Sequence, residues 1–168
     1  MKLRISRAFG CVIALLGLLL FSSQAEAANR LYAKYRQATV SWSSAGVAAT
    51  IDLATDTIKI AAVSSGYTPN STTDQFYSTV SSYTVGTPVV LTYSSSTGGL
   101  YKSSNNPSFT IPATTTVSYL VIYKDTGTAS TSPLIAIIDT ASGLPFTTGS
   151  TSTTLNVTMD ATNGWFTP

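Results

Sequence analysis

From Val40 onward, apolar positions either alternate with polar ones or run together in short blocks, with turn residues between the blocks. β-Branched and aromatic residues dominate these stretches, which is the pattern of strands. Strands are predicted at Thr39–Trp42, Thr57–Val63, Val89–Tyr93, Phe109–Ile111, Ser118–Tyr123, Leu134–Asp139, Thr153–Met159 and Gly164–Phe166. Tyr119-Leu120-Val121-Ile122-Tyr123 and Leu134-Ile135-Ala136-Ile137-Ile138 are nearly continuous apolar runs. Such strands are expected in the centre of a sheet with both faces covered. Lys124-Asp125-Thr126-Gly127 begins a turn after the first run and Pro133 opens the second, so the two should pair as a hairpin across a hydroxyl-rich loop. Pro69, Pro88, Pro107, Pro112 and Pro145 fall at strand starts or in loops, where a missing N–H is tolerated.

Two stretches have helical spacing instead. Asn29–Thr39 (NRLYAKYRQAT) places Leu31, Tyr35 and Ala38 on one face, with Asn29 as the N-cap. Thr72-Thr73-Asp74-Gln75 has the spacing of a capping box, with Phe76 and Val80 one turn apart behind it. Many short strands with one or two short helices predict an all-β chain, a single antiparallel β-sandwich or jelly-roll-like domain over residues 28–168.

The first 27 residues follow another pattern. Lys2, Arg4 and Arg7 precede the 11-residue apolar run Cys11–Phe21, and Ala25-Glu26-Ala27 follows it. This is the layout of a secretory signal peptide, with cleavage expected between Ala27 and Ala28. The run is too short to cross a hydrocarbon core, which needs about 20 apolar residues. The chain is therefore expected to be exported, to the cell surface or beyond, with the periplasm as alternative, or a virion should the leader go unused.

Cleavage changes the charge. The 168 residues carry 9 Lys+Arg and 7 Asp+Glu, but three basic residues and Glu26 lie in the leader. What remains has six basic residues, six aspartates, no Glu and no Cys. A net charge of zero leaves no electrostatic pull toward nucleic acid or acidic lipid, so neither a nucleic-acid partner nor, after cleavage, a membrane is expected. Polarity comes instead from 21 serines and 28 threonines beyond Ala27.

Histidine is absent, which removes imidazole bases and His metal ligands. No Ser-X-X-Lys and no Gly-X-Ser-X-Gly occurs, so the usual ways of activating a serine are missing. Asp52 and Asp56, four apart, fit a turn before the strand at Ile58 better than an acid–base pair or an EF-hand loop, and Asp125-Thr126-Gly127 reads as a turn. No catalytic residue, no metal site and no cofactor is expected. Asn70-Ser71-Thr72 and Asn156-Val157-Thr158 match the glycosylation pattern.

The aromatics are the remaining lead. Phe109, Tyr119, Tyr123 and Trp165 read as core residues, whereas Tyr67, Tyr77, Tyr83, Tyr93 and Tyr101 lie near turns and are candidates for an exposed face. With Leu31, Tyr32, Tyr35, Trp165 and Phe166 from the chain ends, they form the expected assembly or ligand surface.

A series of phrases carries a resemblance: Asn29-Arg30-Leu31-Tyr32, Thr55-Asp56-Thr57-Ile58-Lys59, Asp74-Gln75-Phe76, Gly86-Thr87-Pro88-Val89, Ile122-Tyr123-Lys124-Asp125-Thr126-Gly127, Ser132-Pro133-Leu134-Ile135-Ala136, Ile138-Asp139-Thr140 and Gly143-Leu144-Pro145. In this order they resemble small virion-associated structural proteins of tailed bacteriophages. The resemblance implies an all-β particle component that works by assembling. The leader departs from that pattern, since virion proteins assemble without export. The expectation is thus a non-enzymatic subunit of a multimeric surface assembly, extracellular filament or phage-like particle, partnered by its own copies as a homo-oligomer or by other particle or surface proteins. The alternative is a secreted module that binds a glycan or cell-surface ligand through exposed tyrosines.

Overall fold

A computed structural model describes residues 29–40, 51–95 and 100–166. The expected leader, with Ala27 and Ala28, lies outside them, as does the part of the predicted Thr39–Trp42 strand beyond Val40. The chain is all-β and sandwich-like, with antiparallel sheets and, among the described residues, one α-helix and several 3-10 turns. In chain order the elements are β1 (Arg30–Leu31), α1 (Ala33–Val40), β2 (Ile58–Ser64), β3 (Thr84–Val90), β4 (Tyr93–Ser95), β5 (Lys102–Ser103), β6 (Ser108–Ile111), β7 (Thr116–Lys124), β8 (Leu134–Ile138), β9 (Phe146–Thr147) and β10 (Thr153–Asn156).

The main sheet has the order β1-β8-β7-β2-β3, with β9 also alongside β7. The two apolar runs form its middle: Leu120 pairs with Ile138, Val121 with Ile137 and Ile122 with Ala136. Their loop is laced by hydroxyls, Ser132 Oγ accepting from Thr126 N at 3.1 Å and donating to Thr128 O at 2.9 Å. Both faces of these strands are covered. On one, Ile58, Ile60, Leu120, Ile122 and Ile138 pack with Phe109, Ile111, Leu155, Tyr101 and Trp165 from the ribbons β6–β10 and β4–β5 and the C-terminal end. On the other, Ala61, Val63, Val121, Tyr123, Leu134 and Ile137 pack under Tyr32, Tyr67 and Val80. Burying a Val, Leu or Ile side chain contributes about 1.5–3 kcal/mol, and all five residues of β8 are buried.

At the far edge, β3 bends round Gly86-Thr87-Pro88, and its register with β2 shifts between Ile60 and Ala62. Gly86 has φ +70°, and a Cβ there would meet Thr110 O of β6 at 2.8 Å. Only glycine lets the edge strand run this close to the second layer.

Local expectation and structure part in several places. Asn29–Thr39 is not one helix: Arg30 pairs with Ile137 and Leu31 with Ala136, and α1 starts only at Ala33. Asn29 does not cap it, because its Oδ1 accepts from Thr140 Oγ1 at 2.8 Å. The open edge of β8 has captured this stretch as a strand. The Thr72–Gln75 capping box is also absent. Asn70 Oδ1 instead accepts from Thr72 N and Thr73 N, and 3-10 turns follow at Tyr77–Thr79 and Ser81–Tyr83. This serine-rich stretch lacks the propensity for an α-helix. The predicted Gly164–Phe166 strand is reduced to isolated bridges, and Val89–Tyr93 is split between β3 and β4.

Candidate functional site

Two seams hold the chain ends to the body, and most of the expected site residues fall on them. The first is N-terminal. Beyond the β1–β8 pairing, Tyr32 N donates to Ile135 O at 3.0 Å and Ala33 N to Ser71 O at 2.7 Å. Tyr32 is buried against the outer face of the sheet, whereas Tyr35, one turn on, is buried in the cluster on the opposite face. Half-buried Leu31 packs with that second cluster. One short segment thus plugs both cores. Arg30 Nη2 stands 3.9 Å from Asp139 Oδ2, a long contact.

The second seam is C-terminal. Asp160 organises a turn, accepting from Thr162 N, Asn163 N and Asn163 Nδ2. Gly164, at φ +66°, then turns the chain so that Trp165 N donates to Tyr101 O and Tyr101 N to Phe166 O. Phe166 stacks on Tyr101 with ring centroids 5.4 Å apart and meets Tyr35 edge-on at 6.0 Å. Trp165 Nε1 donates to Ser103 Oγ at 2.8 Å. The two seams therefore touch through Tyr35 and Phe166. Between them lie two grooves, of about 370 and 520 Å³, both lined by Asn29, Ile138, Asp160, Gly164 and Trp165.

An exposed tyrosine face is not what the structure builds. Tyr67 and Tyr101, expected near the surface, are buried, as are Tyr32, Tyr35, Trp165 and Phe166 within their own chain. Tyr77 and Tyr93 are half-buried and only Tyr83 is exposed, at 39%. The outer-face tyrosines form a cluster instead. Tyr32 and Tyr67 hydroxyls lie 3.2 Å apart, Tyr67 donates to Asp74 Oδ2 at 2.5 Å, and Tyr77 stacks on Tyr123 at 4.0 Å. Tyr83 and Tyr119 flank Tyr67.

Burial pushes the hydroxyls of Tyr32, Tyr67 and Tyr123 well above the usual tyrosine range, with the Asp74 and Tyr32 hydrogen bonds adding to the shift at Tyr67. Burial alone takes Tyr35 up to about 12, and burial with Tyr93 takes Tyr101 up to about 12. Groups so far from neutrality are poor proton donors or acceptors near pH 7.

Asp52, Asp56 and Asp125 are tied into turns and ion pairs. Asp52 accepts from Thr55 Oγ1 and Ala54 N, which lowers its pKa, and Asp56 closes the same turn through Asp52 N while pairing with Lys124 at 2.8 Å. Asp125 is held low first by Lys59, 2.6 Å away, and accepts from Gly127 N at the turn. Among the described residues no group of three or more His, Cys, Asp or Glu could hold a metal ion, and no helix is long and apolar enough to cross a membrane.

Asn29, Asp74, Ser103, Asp139 and Asp160 shape these seams without having been singled out as site residues. Their roles depend on register and on distant partners, which local spacing does not carry. Set beside known proteins, the chain matches no family model, and no curated protein or solved structure is significantly similar to it.

Proposed function

We propose that the protein is an exported, non-enzymatic structural subunit that acts by self-assembly, as part of a surface structure, an extracellular filament or a phage-like particle. One observation carries the reading: the segment from Arg30 to Tyr35 completes the edge of β8 and fills both cores. Without it, a wholly apolar strand would keep an open edge, the feature that invites pairing with another chain. A neighbouring copy's segment makes the same main-chain bonds and fills the same holes, which is strand addition in trans. The resemblance to phage virion-associated proteins points the same way. So does the use of Asp52, Asp56, Asp74, Asp125 and Asp160 in turns, ion pairs or hydrogen bonds, which favours structure over catalysis.

Paired cysteines test the exchange. Leu31 and Ala136 face each other across the β1–β8 pairing, and the chain beyond Ala27 has no cysteine of its own. After mild oxidation, Leu31→Cys/Ala136→Cys protein should run as a ladder of covalent oligomers on a non-reducing gel. Intrachain bonds alone, in a protein that elutes as a monomer, would sink the assembly reading and favour a secreted binding module.

A further inference from the structure

We propose that the outer edge of β10 is a second interface between copies of this chain, in which β10 pairs antiparallel with β10 of a second copy across a two-fold axis at Leu155. This rests on the self-assembly reading above but uses a surface other than the β1–β8 seam. The register shows which groups are turned outward. β10 pairs with β6 from Thr153 opposite Ile111 to Asn156 opposite Ser108 without a shift, and Val157 N donates to Pro107 O. Main-chain groups of an antiparallel pair turn toward the partner at every second residue. Those of Thr153 and Leu155 therefore face β6, and those of Thr154 and Asn156 face away from it. Among the described residues β6 is the only strand beside β10, and both outward-turned residues are exposed. Asn156, Val157 and Thr158 line the larger groove, so open space adjoins this end of the strand.

The other edges are guarded. β3 carries Pro88 and a register shift, and the β4–β5 ribbon has a register shift and Lys102. β1 is two residues long and carries Arg30. The far side of β6 is covered by β3, with Gly86 lying against Thr110 O. Charge, proline and irregular register are the devices that keep edges from pairing. β10 has none of them: from Ser150 to Met159 there is no Pro, no Gly and no charged residue. The same neutrality selects the occupant. An edge without charge gives a charged partner nothing to recognise, and two copies of it bring no like charges together. Its groups are also self-complementary. Thr154 and Asn156 stand one position either side of Leu155, so the two-fold axis sets Thr154 opposite Asn156 of the second copy, twice over. Each such pair exchanges both N–H···O bonds, and on the exposed face a threonine hydroxyl meets an asparagine amide. The two β6–β10 ribbons then form one continuous sheet, an isologous contact of the commonest symmetry.

The experiment reads the register directly. In a Cys11→Ala background each introduced cysteine is the only one in its chain. Thr154→Cys and Asn156→Cys proteins are oxidised mildly, each alone and as an equal mixture combined at dilution and then concentrated. Opposite residues of a hydrogen-bonded pair have Cα atoms about 5.5 Å apart, within disulfide reach. Like residues would stand diagonally, about 7–8 Å apart, beyond that reach. The mixture should form a disulfide dimer of one chain of each kind several-fold faster than either protein alone forms a dimer. Equal rates in the three samples, or no dimer in any, overturn the proposal. Wild-type protein gives a check that needs no substitution. Amide exchange at Thr154 and Asn156 should slow several-fold between dilute and concentrated solution, while the Leu155 amide, turned toward β6, stays slow in both. Fast exchange at Thr154 and Asn156 in solutions where light scattering shows oligomers removes this interface alone and leaves the self-assembly reading standing. A monomer at every concentration removes both.

Discussion

Single residues in this molecule matter where the backbone or a buried hydroxyl has no alternative. Gly164 has φ +66°, and a Cβ there would sit 2.6 Å from Tyr101 O, the atom that accepts from Trp165 N. Gly164→Ala should therefore lower stability by roughly 1–3 kcal/mol, whereas Gly149, with no positive φ and open space around it, should tolerate alanine. Thermal melts of the two variants decide it, at about 2–4 °C per kcal/mol for a chain of this size. Tyr67→Phe is the matching test of the outer-face cluster. It strips Tyr32 of its hydroxyl partner and Asp74 of one donor, and an orphaned buried group costs about 1–3 kcal/mol. Tyr83, being exposed, should accept phenylalanine with no measurable change in melting. A Tyr67→Phe melt equal to wild type would show that the hydroxyl chain contributes nothing.

At the scale of elements, β8 is the strand on which the others depend, since it joins β1 to β7 and is buried along its whole length. Ile135→Asp places a carboxylate in the core without a partner, at a cost of several kcal/mol. Whole-domain stabilities are themselves about 5–15 kcal/mol, so the variant should lose its cooperative melt. Asp125→Asn, which disturbs one surface pair with Lys59, should melt within a few degrees of wild type. A cooperative melt for Ile135→Asp near the wild-type temperature would show that β8 is not core. The same contrast explains which elements were legible beforehand. β2, β6, β7 and β8 carry period-2 alternation or long apolar runs, so burial on one or both faces is written into adjacent residues. β1, β5 and β9 are two residues each, too short for any period. They are strands only because a partner edge lies beside them. The site was legible in its residue types but not in its placement. Tyr32, Tyr35, Trp165 and Phe166 stood out as aromatics near the chain ends, yet their burial follows from contacts across more than a hundred positions, as between Tyr35 and Phe166. Tyr67 and Tyr101 looked exposed because turns flank them, and the layers above them come from elsewhere in the chain.

For the whole molecule, ionisation sets the pH range of stability, and alkaline conditions are the sharper limit. On the acid side, Asp52, Asp125 and Asp160 all titrate below the ordinary carboxylate range, Asp125 chiefly through Lys59. A lowered folded-state pKa gives stability that is complete above the unfolded value of about 3.9 and is lost only below it. These groups lie at the surface, so the loss should be shallow. The tyrosines act in the opposite direction and from inside. Tyr32, Tyr35, Tyr67, Tyr101 and Tyr123 are buried and all have raised pKa values, Tyr35 and Tyr101 reaching about 12. A raised folded-state pKa gives stability that is fully present below the unfolded value of about 10 and disappears as pH rises toward the folded one. Between about pH 10 and 12 each buried tyrosine withdraws up to roughly 1.4 kcal/mol per pH unit, and five acting together are comparable with the stability of an ordinary domain, about 5–15 kcal/mol. The protein should hold its circular dichroism signal from mildly acidic pH to about pH 10 and then unfold in one steep step. Tyrosinate absorbance from these five buried tyrosines should appear together with unfolding. Ionisation of Tyr32, Tyr67 and Tyr123 near pH 10 while the dichroism persists would mean that the cluster beneath residues 67–83 is open to water.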